Sequence, residues 1–140
     1  MSAQIVNEIV GQLAGTQPLQ VTSFEALLAT SFKPATENPY WNFYEFALPA
    51  GVFADGEFRL HKTEPKALLS LTTREESGIT QSDLDLSRWG EIRHLNVNPR
   101  IRPEGIDSYI YKFNGVQITF QFTHQSHRLY IVVLEWGLPD

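Results

Sequence analysis

Residues 107–136 read DSYIYKFNGVQITFQFTHQSHRLYIVVLEW, and this stretch decides the fold class. The Asn114-Gly115 pair predicts a two-residue hairpin turn, because both residues tolerate the positive φ that a type I′ turn requires. Such a turn fixes the register of the two strands, and one face then carries only apolar side chains. The pairs on that face are Phe113 with Val116, Tyr111 with Ile118, and Tyr109 with Phe120. The other face is mostly polar, so we expect one buried face and one solvent-exposed face.

A further strand follows over residues 129–136 and is apolar on both faces. Alternation places on one side Leu129, Ile131 and Val133, and on the other Tyr130, Val132, Leu134 and Trp136. Strands of this kind are normally interior, yet the neighbouring strand offers apolar cover on one face only. The second face therefore needs cover from a helix, from the aromatic region 40–46 or from a second subunit. This surplus of apolar surface predicts a homodimer to which the sheet face or the aromatic strand contributes.

The N-terminal part of the chain predicts two helices. Apolar residues at helical spacing indicate a first helix over residues 3–14, which ends at Gly15. Thr22 and Glu25 have the spacing of a capping box, so we expect a second helix to begin at Thr22. The strand-rich part of the chain then follows these helices.

The middle of the chain predicts further strands and two irregular segments. Residues 40–48 and 67–73 have the composition of strands, and Asp55-Gly56 predicts a tight turn between two short strands. We expect residues 33–39 to form a loop, and residues 95–103, which contain two prolines, to form an extended or irregular connection.

The order of helices and strands predicts an α+β fold. We expect a mainly antiparallel sheet built from hairpins, with the two N-terminal helices packed on one face. The alternative is a small barrel or sandwich carrying helical additions. A chain of 140 residues is most simply one domain, residues 1–140, and is long enough to bury a core.

Composition narrows the possible functions. The net charge of −5 argues against a general nucleic-acid binder, which would usually be basic. The chain has no cysteine, which excludes disulfides, thiolate metal sites and cysteine nucleophiles and fits a cytoplasmic location. No apolar run is long enough for a membrane span, and the N-terminus does not have the pattern of a signal peptide. Glycines are scattered, so we expect no nucleotide cofactor and, more generally, no cofactor.

Histidines form the only local cluster that resembles a metal site. His124 and His127 are close in sequence and would need a further ligand such as His61 or His94. Their spacing is not that of a standard metal motif, and turns are ordinarily polar. We therefore expect neither a metal site nor a catalytic residue here.

Residues 88–102 form the one basic segment of an acidic chain. Arg88, Arg93, Arg100 and Arg102 could bind an anion, because guanidinium groups suit phosphates and carboxylates. The segment supports an alternative function as an anion- or RNA-binding protein, possibly nuclease-like. A solvated charged surface, paired with acidic residues elsewhere, is the reading that we favour for these residues.

Aromatic residues supply a third set of candidates, for an interface or a pocket: Trp41, Tyr44, Tyr130 and Trp136. Such side chains carry much of the binding energy at interfaces and also line ligand pockets, although strand aromatics most often fill a core. The sequence as a whole favours a soluble, non-enzymatic protein-interaction or structural domain. Its alternatives are the anion- or RNA-binding protein and a small-ligand-binding domain with an aromatic-lined pocket.

Overall fold

The computed structural model describes residues 3–101 and 104–139. Two helices come first, α1 over Gln4–Ala14 and α2 over Val21–Leu28. Eight strands follow, β1 Lys33–Glu37, β2 Trp41–Ala47, β3 Phe53–His61, β4 Ala67–Thr73, β5 His94–Asn98, β6 Ile106–Phe113, β7 Val116–Thr123 and β8 Leu129–Trp136. Three short 3-10 turns lie between β4 and β5, at Glu75–Ser77, Gln81–Asp83 and Leu86–Trp89.

The eight strands form one antiparallel sheet in the order β1-β2-β3-β4-β8-β7-β6-β5. Strands β1 to β4 form one half, in which each strand pairs with the next along the chain, and β5 to β8 form the other. The halves meet where β4 pairs with β8, from Ala67 opposite Trp136 to Thr72 opposite Ile131. The free edges of the sheet are therefore β1 and β5.

The β6–β7 hairpin has the register that the sequence predicts. Phe113 pairs with Val116, and the ladder continues to Ile106 opposite Thr123. The two turn residues, Asn114 and Gly115, have φ values of 51° and 81°. Both values lie in the left-handed region that a type I′ turn requires, so the Asn-Gly pair alone predicted this turn correctly.

One face of the sheet, the core face, packs against both helices. The helices contribute Val6, Val10, Leu13 and Phe24 to the same cluster as the sheet residues Phe46, Phe58, Leu69, Leu71, Ile118, Phe120, Val132 and Leu134. The Phe24 ring lies 4.8 Å from that of Phe58 and 5.3 Å from that of Trp136, centroid to centroid. The predicted α+β fold with both helices on one face is confirmed.

Trp89 extends the helix layer over the second half of the sheet. Its ring lies edge-on to Phe113, at 5.1 Å between centroids. The indole Nε1 donates a hydrogen bond to Asn7 Oδ1 at 3.1 Å, and Asn7 Nδ2 donates to the Asp85 carbonyl at 3.1 Å. Asn7 thus joins α1 to the 3-10 turn, and it satisfies polar groups that burial would otherwise leave unpaired.

Strand β1 lies in the segment that the sequence assigned to a loop, and β5 overlaps the segment that it assigned to an extended or irregular connection. Every residue of these two edge strands is exposed. An edge strand that lies outside the helix layer has no buried side, so its sequence lacks the alternation that identifies a strand. Prolines are also tolerated at sheet edges, which removes the signal that favoured loops.

The predicted turn at Asp55-Gly56 is wrong, because β3 continues through both residues. The turn between β2 and β3 lies at residues 48–52 instead. A Cβ atom at Gly56 would lie 2.5 Å from the Phe46 ring and closer still to the Ser70 carbonyl oxygen. Gly56 therefore makes space for a neighbouring aromatic side chain, and it does not form a turn.

Two smaller predictions also need correction. The pairing of β7 with β8 contains a bulge at Tyr130, an extra residue of β8 that has no partner between Gln121 and Phe122 of β7. Leu129 consequently lies opposite Phe122 in the core. Alternation without this bulge placed Leu129 on the other face. Helix α2 begins at Val21 without a side-chain cap, and Glu25 accepts a hydrogen bond from the Phe32 N–H at 2.7 Å.

Candidate functional site

The second face of the sheet, the open face, lies opposite the face on which the described helices pack. In β4 every second residue is buried on the core face, and the residues between are half-buried. The described helices and 3-10 turns place their buried residues on the core face. Side chains on the open face include Phe43, Glu45, Asp55, Glu57, Arg59, Leu68, Ser70, Thr72, Ile131, Val133, Glu135, Ile110 and Lys112.

One groove of the open face, the acidic groove, has a volume of about 440 Å³. Its charged lining consists of Glu45, Asp55 and Glu57, and the hydroxyls of Ser70 and Thr72 lie beside them. Cross-strand pairing explains this arrangement, since Glu45 pairs with Glu57, which pairs with Ser70. Like charges placed directly opposite each other destabilise a sheet, so this pair is a local cost of the fold.

A second groove, the aromatic groove, lies beside the first and measures about 320 Å³. Trp41, Phe43 and Leu68 supply its apolar lining, together with Leu138. Arg59 lies between the two grooves. Its guanidinium is 5.3 Å from the centre of the Phe43 ring, and its Nη2 lies 3.8 Å from Glu57 Oε2. Charged and aromatic side chains are thus juxtaposed on one exposed surface.

The aromatic candidates divide between the two faces. Trp41 lies on the open face and lines the aromatic groove. Trp136 borders the same groove, but its ring packs on the core face, 5.3 Å from the ring of Phe24. Tyr44 belongs to the core face, where its ring lies 6.2 Å from that of Phe58. Tyr130 is the half-buried bulge residue of β8. The Nε1 of Trp136 has no hydrogen-bond partner among the residues that the structure describes.

The arginine candidates lie at separate places. The Arg88 guanidinium lies over the ring of Trp89, 4.9 Å from its centre. Arg93 precedes β5 and Arg100 follows it, so a five-residue strand separates them. An extended strand of that length spans about 17 Å, which places these two backbone positions too far apart for one small anion. Arg102 lies outside the described residues.

Two of the four histidines, His61 and His124, have structural partners. His124 Nδ1 and Asp107 Oδ1 are 2.8 Å apart, and the Asp107 side chain is largely buried. His61 Nδ1 accepts hydrogen bonds from the N–H groups of Thr63 and Glu64 in the β3–β4 turn. Within residues 3–101 and 104–139, no group of three or more His, Asp or Glu side chains could hold a metal ion.

Glu104 organises the turn that contains these histidines. Its Oε1 accepts hydrogen bonds from the N–H groups of Ser126 at 2.6 Å and Gln125 at 2.9 Å, and from Ser126 Oγ at 2.9 Å. The Ser126 N–H bond is the main reason that the pKa of Glu104 is lowered from 4.5. The Ser126 hydroxyl also lies 2.6 Å from Thr123 Oγ1. These bonds hold Ser126 in the turn. His124 is not bonded to Ser126 and is paired with Asp107.

The sequence did not identify Asp107 or the carboxylates of the acidic groove. Asp107 pairs with Phe122, so the hairpin register alone places it two residues from His124, and this signal was available. Glu45, Asp55 and Glu57 come together only through the pairing of β2 with β3. The false turn at Asp55-Gly56 concealed that pairing.

Among the described residues, no helix is long and apolar enough to span a membrane.

Comparisons with known proteins identify no relative of this chain. No protein-family model, no curated protein and no solved structure matches this chain.

Proposed function

We propose that this chain is a non-enzymatic protein-interaction domain and that the open face of its sheet docks on a partner protein. The observation that carries the proposal is the contrast between the faces. The core face is covered by α1, α2 and Trp89, whereas side chains such as Phe43, Leu68 and Val133 remain partly exposed and face none of the described helices. Contiguous apolar surface rimmed by charged residues is typical of protein interfaces.

The charge of the open face favours a partner with a basic surface. Among the described residues, the carboxylates of Glu45 and Asp55 make no ion pair or hydrogen bond, and the carboxylate of Glu57 approaches only Arg59. Unpaired carboxylates in a groove attract lysine and arginine side chains and raise the association rate of a positively charged partner. The aromatic groove beside them supplies apolar contact area, with Trp41 and Phe43 as candidate anchors.

A comparison of two charge-reversed variants tests the proposal. The first, Glu45→Lys with Glu57→Lys, changes the acidic groove. The second, Glu75→Lys with Glu76→Lys, changes a 3-10 turn away from the sheet and alters the net charge equally. Each immobilised protein is used to capture proteins from a lysate of the source organism, and every captured protein is identified and then purified for binding measurements.

We expect at least one purified basic protein to bind the unaltered chain and the Glu75/Glu76 control with similar affinity. Its Kd should rise about tenfold or more for the Glu45/Glu57 variant, since charge reversal at a complementary interface costs more than 1.4 kcal/mol. Circular dichroism and denaturant midpoints establish that both variants are folded. Equal affinity for both variants would contradict the proposal.

A further inference from the structure

The two free edges of the sheet differ in how well they are protected. Strand β1 carries Lys33, Pro34 and Glu37, and its register with β2 is interrupted between Pro34 and Glu37. Prolines, charges and irregular register are the features by which natural sheets prevent further pairing. Strand β5 reads His-Leu-Asn-Val-Asn and has neither a proline nor a carboxylate, and its register with β6 is unbroken. The β5 edge is therefore the unprotected one.

The register of the second half shows which backbone groups of β5 are free. A two-residue hairpin makes Phe113 and Val116 a hydrogen-bonded pair, so alternate residues of β6, including Ile110 and Ser108, direct their N–H and C=O groups toward β5. Ile110 pairs with His94, and Ser108 with Asn96. The residues between these, Leu95 and Val97, consequently direct their N–H and C=O groups away from the sheet.

The side chains of these two residues are also exposed. Leu95 is 45% and Val97 46% exposed, although Leu95 pairs with Tyr109 on the core face. They are exposed because the helix layer does not extend to β5. Ile92 and Ile101, at the two ends of the segment, are exposed to a similar extent. Free backbone groups and apolar side chains thus occur together along one edge.

We propose that β5 pairs with β5 of a second copy of this chain, antiparallel and about a twofold axis that passes beside Asn96. In this register Leu95 exchanges both backbone hydrogen bonds with Val97 of the second copy, and Val97 does so with Leu95. Each exposed apolar side chain then lies beside an apolar one. No charged side chain lies opposite another, since Arg93 lies opposite Pro99 of the second copy and its N–H donates to the Ile110 carbonyl of its own chain.

A second copy of β5 can pair with the free N–H and C=O groups of Leu95 and Val97, because the β5 edge is complementary to itself. The twofold axis brings the same residues together from both sides, which an isologous contact requires. The product is one continuous sheet of two eight-stranded halves, whose open faces lie on the same side. This inference concerns a different surface from the proposed partner site and does not depend on it.

The mass of the particle in solution is the first test. At micromolar concentration, light scattering after size exclusion should give twice 15.9 kDa for the unaltered chain. Leu95→Lys with Val97→Lys should give a single 15.9 kDa species, because it places four ammonium groups at the centre of the pairing. A monomeric unaltered chain would overturn the proposal, as would a dimer that survives the double substitution.

The protected edge supplies the matched control. Ala35→Lys with Thr36→Lys adds the same charge to β1 and should leave the dimer intact. If this control also gives 15.9 kDa, the effect is one of added charge and not of the β5 edge, and the proposal fails. Retained circular dichroism in all variants shows that the fold is unchanged.

Cysteine crosslinking tests the register, because the chain has no cysteine of its own. Asn96→Cys places two thiols opposite each other in a non-hydrogen-bonded pair, about 4.5 Å apart between Cα atoms, which suits a disulfide. Asn98→Cys is the control, since its counterpart would lie about 13 Å away. Oxidation should crosslink the first variant and not the second. Crosslinking of the second, or of neither, would overturn the register.

Discussion

The two faces of the sheet differ in what their aromatic side chains contribute. Phe43 and Phe46 lie three residues apart on β2 and therefore on opposite faces. Phe46 is 5% exposed and stacks on Phe32 at 4.4 Å between centroids, whereas Phe43 is half-buried beneath the Arg59 guanidinium. The comparison shows that one strand places one aromatic side chain in the core and leaves another partly exposed on the opposite face.

The largest expected effect comes from truncating these two rings. Phe46→Ala should lower the free energy of unfolding by about 3–5 kcal/mol, because it leaves a cavity between the sheet and Phe32. Phe43→Ala should lower it by about 1 kcal/mol, since its ring is already partly in solvent. Denaturant midpoints of both variants measure the difference. Equal losses would mean that the open face is as well packed as the core face, and the distinction between the faces would be lost.

Two side-chain amides, those of Asn7 and Gln117, extend the comparison of the two faces to single hydrogen bonds. Asn7→Ala should cost about 1–3 kcal/mol, because it leaves the buried Trp89 N–H without an acceptor. On the open face, Gln117 Nε2 donates to Glu135 Oε1 at 3.4 Å in a half-buried setting. Gln117→Ala should change stability by no more than about 0.5 kcal/mol, because water replaces the bond.

A double variant separates the Asn7 hydrogen bond from the packing of Asn7. Once Trp89→Phe removes the donor, replacing Asn7 should cost less than it does in the unaltered chain. Urea unfolding of the two single variants and the double variant gives the coupling energy. A coupling energy of zero would show that the bond does not stabilise the contact between α1 and the 3-10 turn.

The smallest expected effect lies at the end of the sheet, outside both faces. The lowered pKa of Glu104 means that its carboxylate stabilises the folded state above pH 4.5, and that this contribution is lost as the pH falls through the lowered pKa. Glu104→Gln should therefore be less stable than the unaltered chain at neutral pH, with a difference that closes in acid. Thermal midpoints across the acid range measure this. A difference that is independent of pH, or one that Glu75→Gln reproduces, would contradict the assignment.

Sequence reasoning succeeded where the determining interactions are local. Asn114-Gly115 specifies both its own turn and the register of its two strands, and the pattern of apolar residues agrees with that register. It missed β1 and did not identify β5 as a strand, since the strand character of both comes from pairing with a neighbour and not from any buried side. The turn predicted at Asp55-Gly56 was wrong for a similar reason, because the need for glycine at position 56 arises from the Phe46 ring in the neighbouring strand.

The candidate site was predicted only in part for the same physical reason. Apolar surplus in β8 indicated that its second face would need cover from outside its hairpin, and Ile131 and Val133 lie on the open face. The carboxylates beside them belong to β2 and β3, and no local pattern relates Glu45 to Glu57. A site built across strands requires the strand order, which depends on the long-range pairing of β4 with β8.

That same pairing has a consequence for the order in which the molecule forms. Six of the seven pairings within the described sheet join strands that are consecutive along the chain, and only β4 with β8 joins distant ones. Neighbouring hairpins close short loops and assemble rapidly, whereas the distant pairing must wait for both halves. During synthesis the edge of β4 has no native partner until the residues of β8, from 131 onward, have been added. Until then, the first half of the nascent chain exposes a hydrophobic strand edge on which chaperones can act.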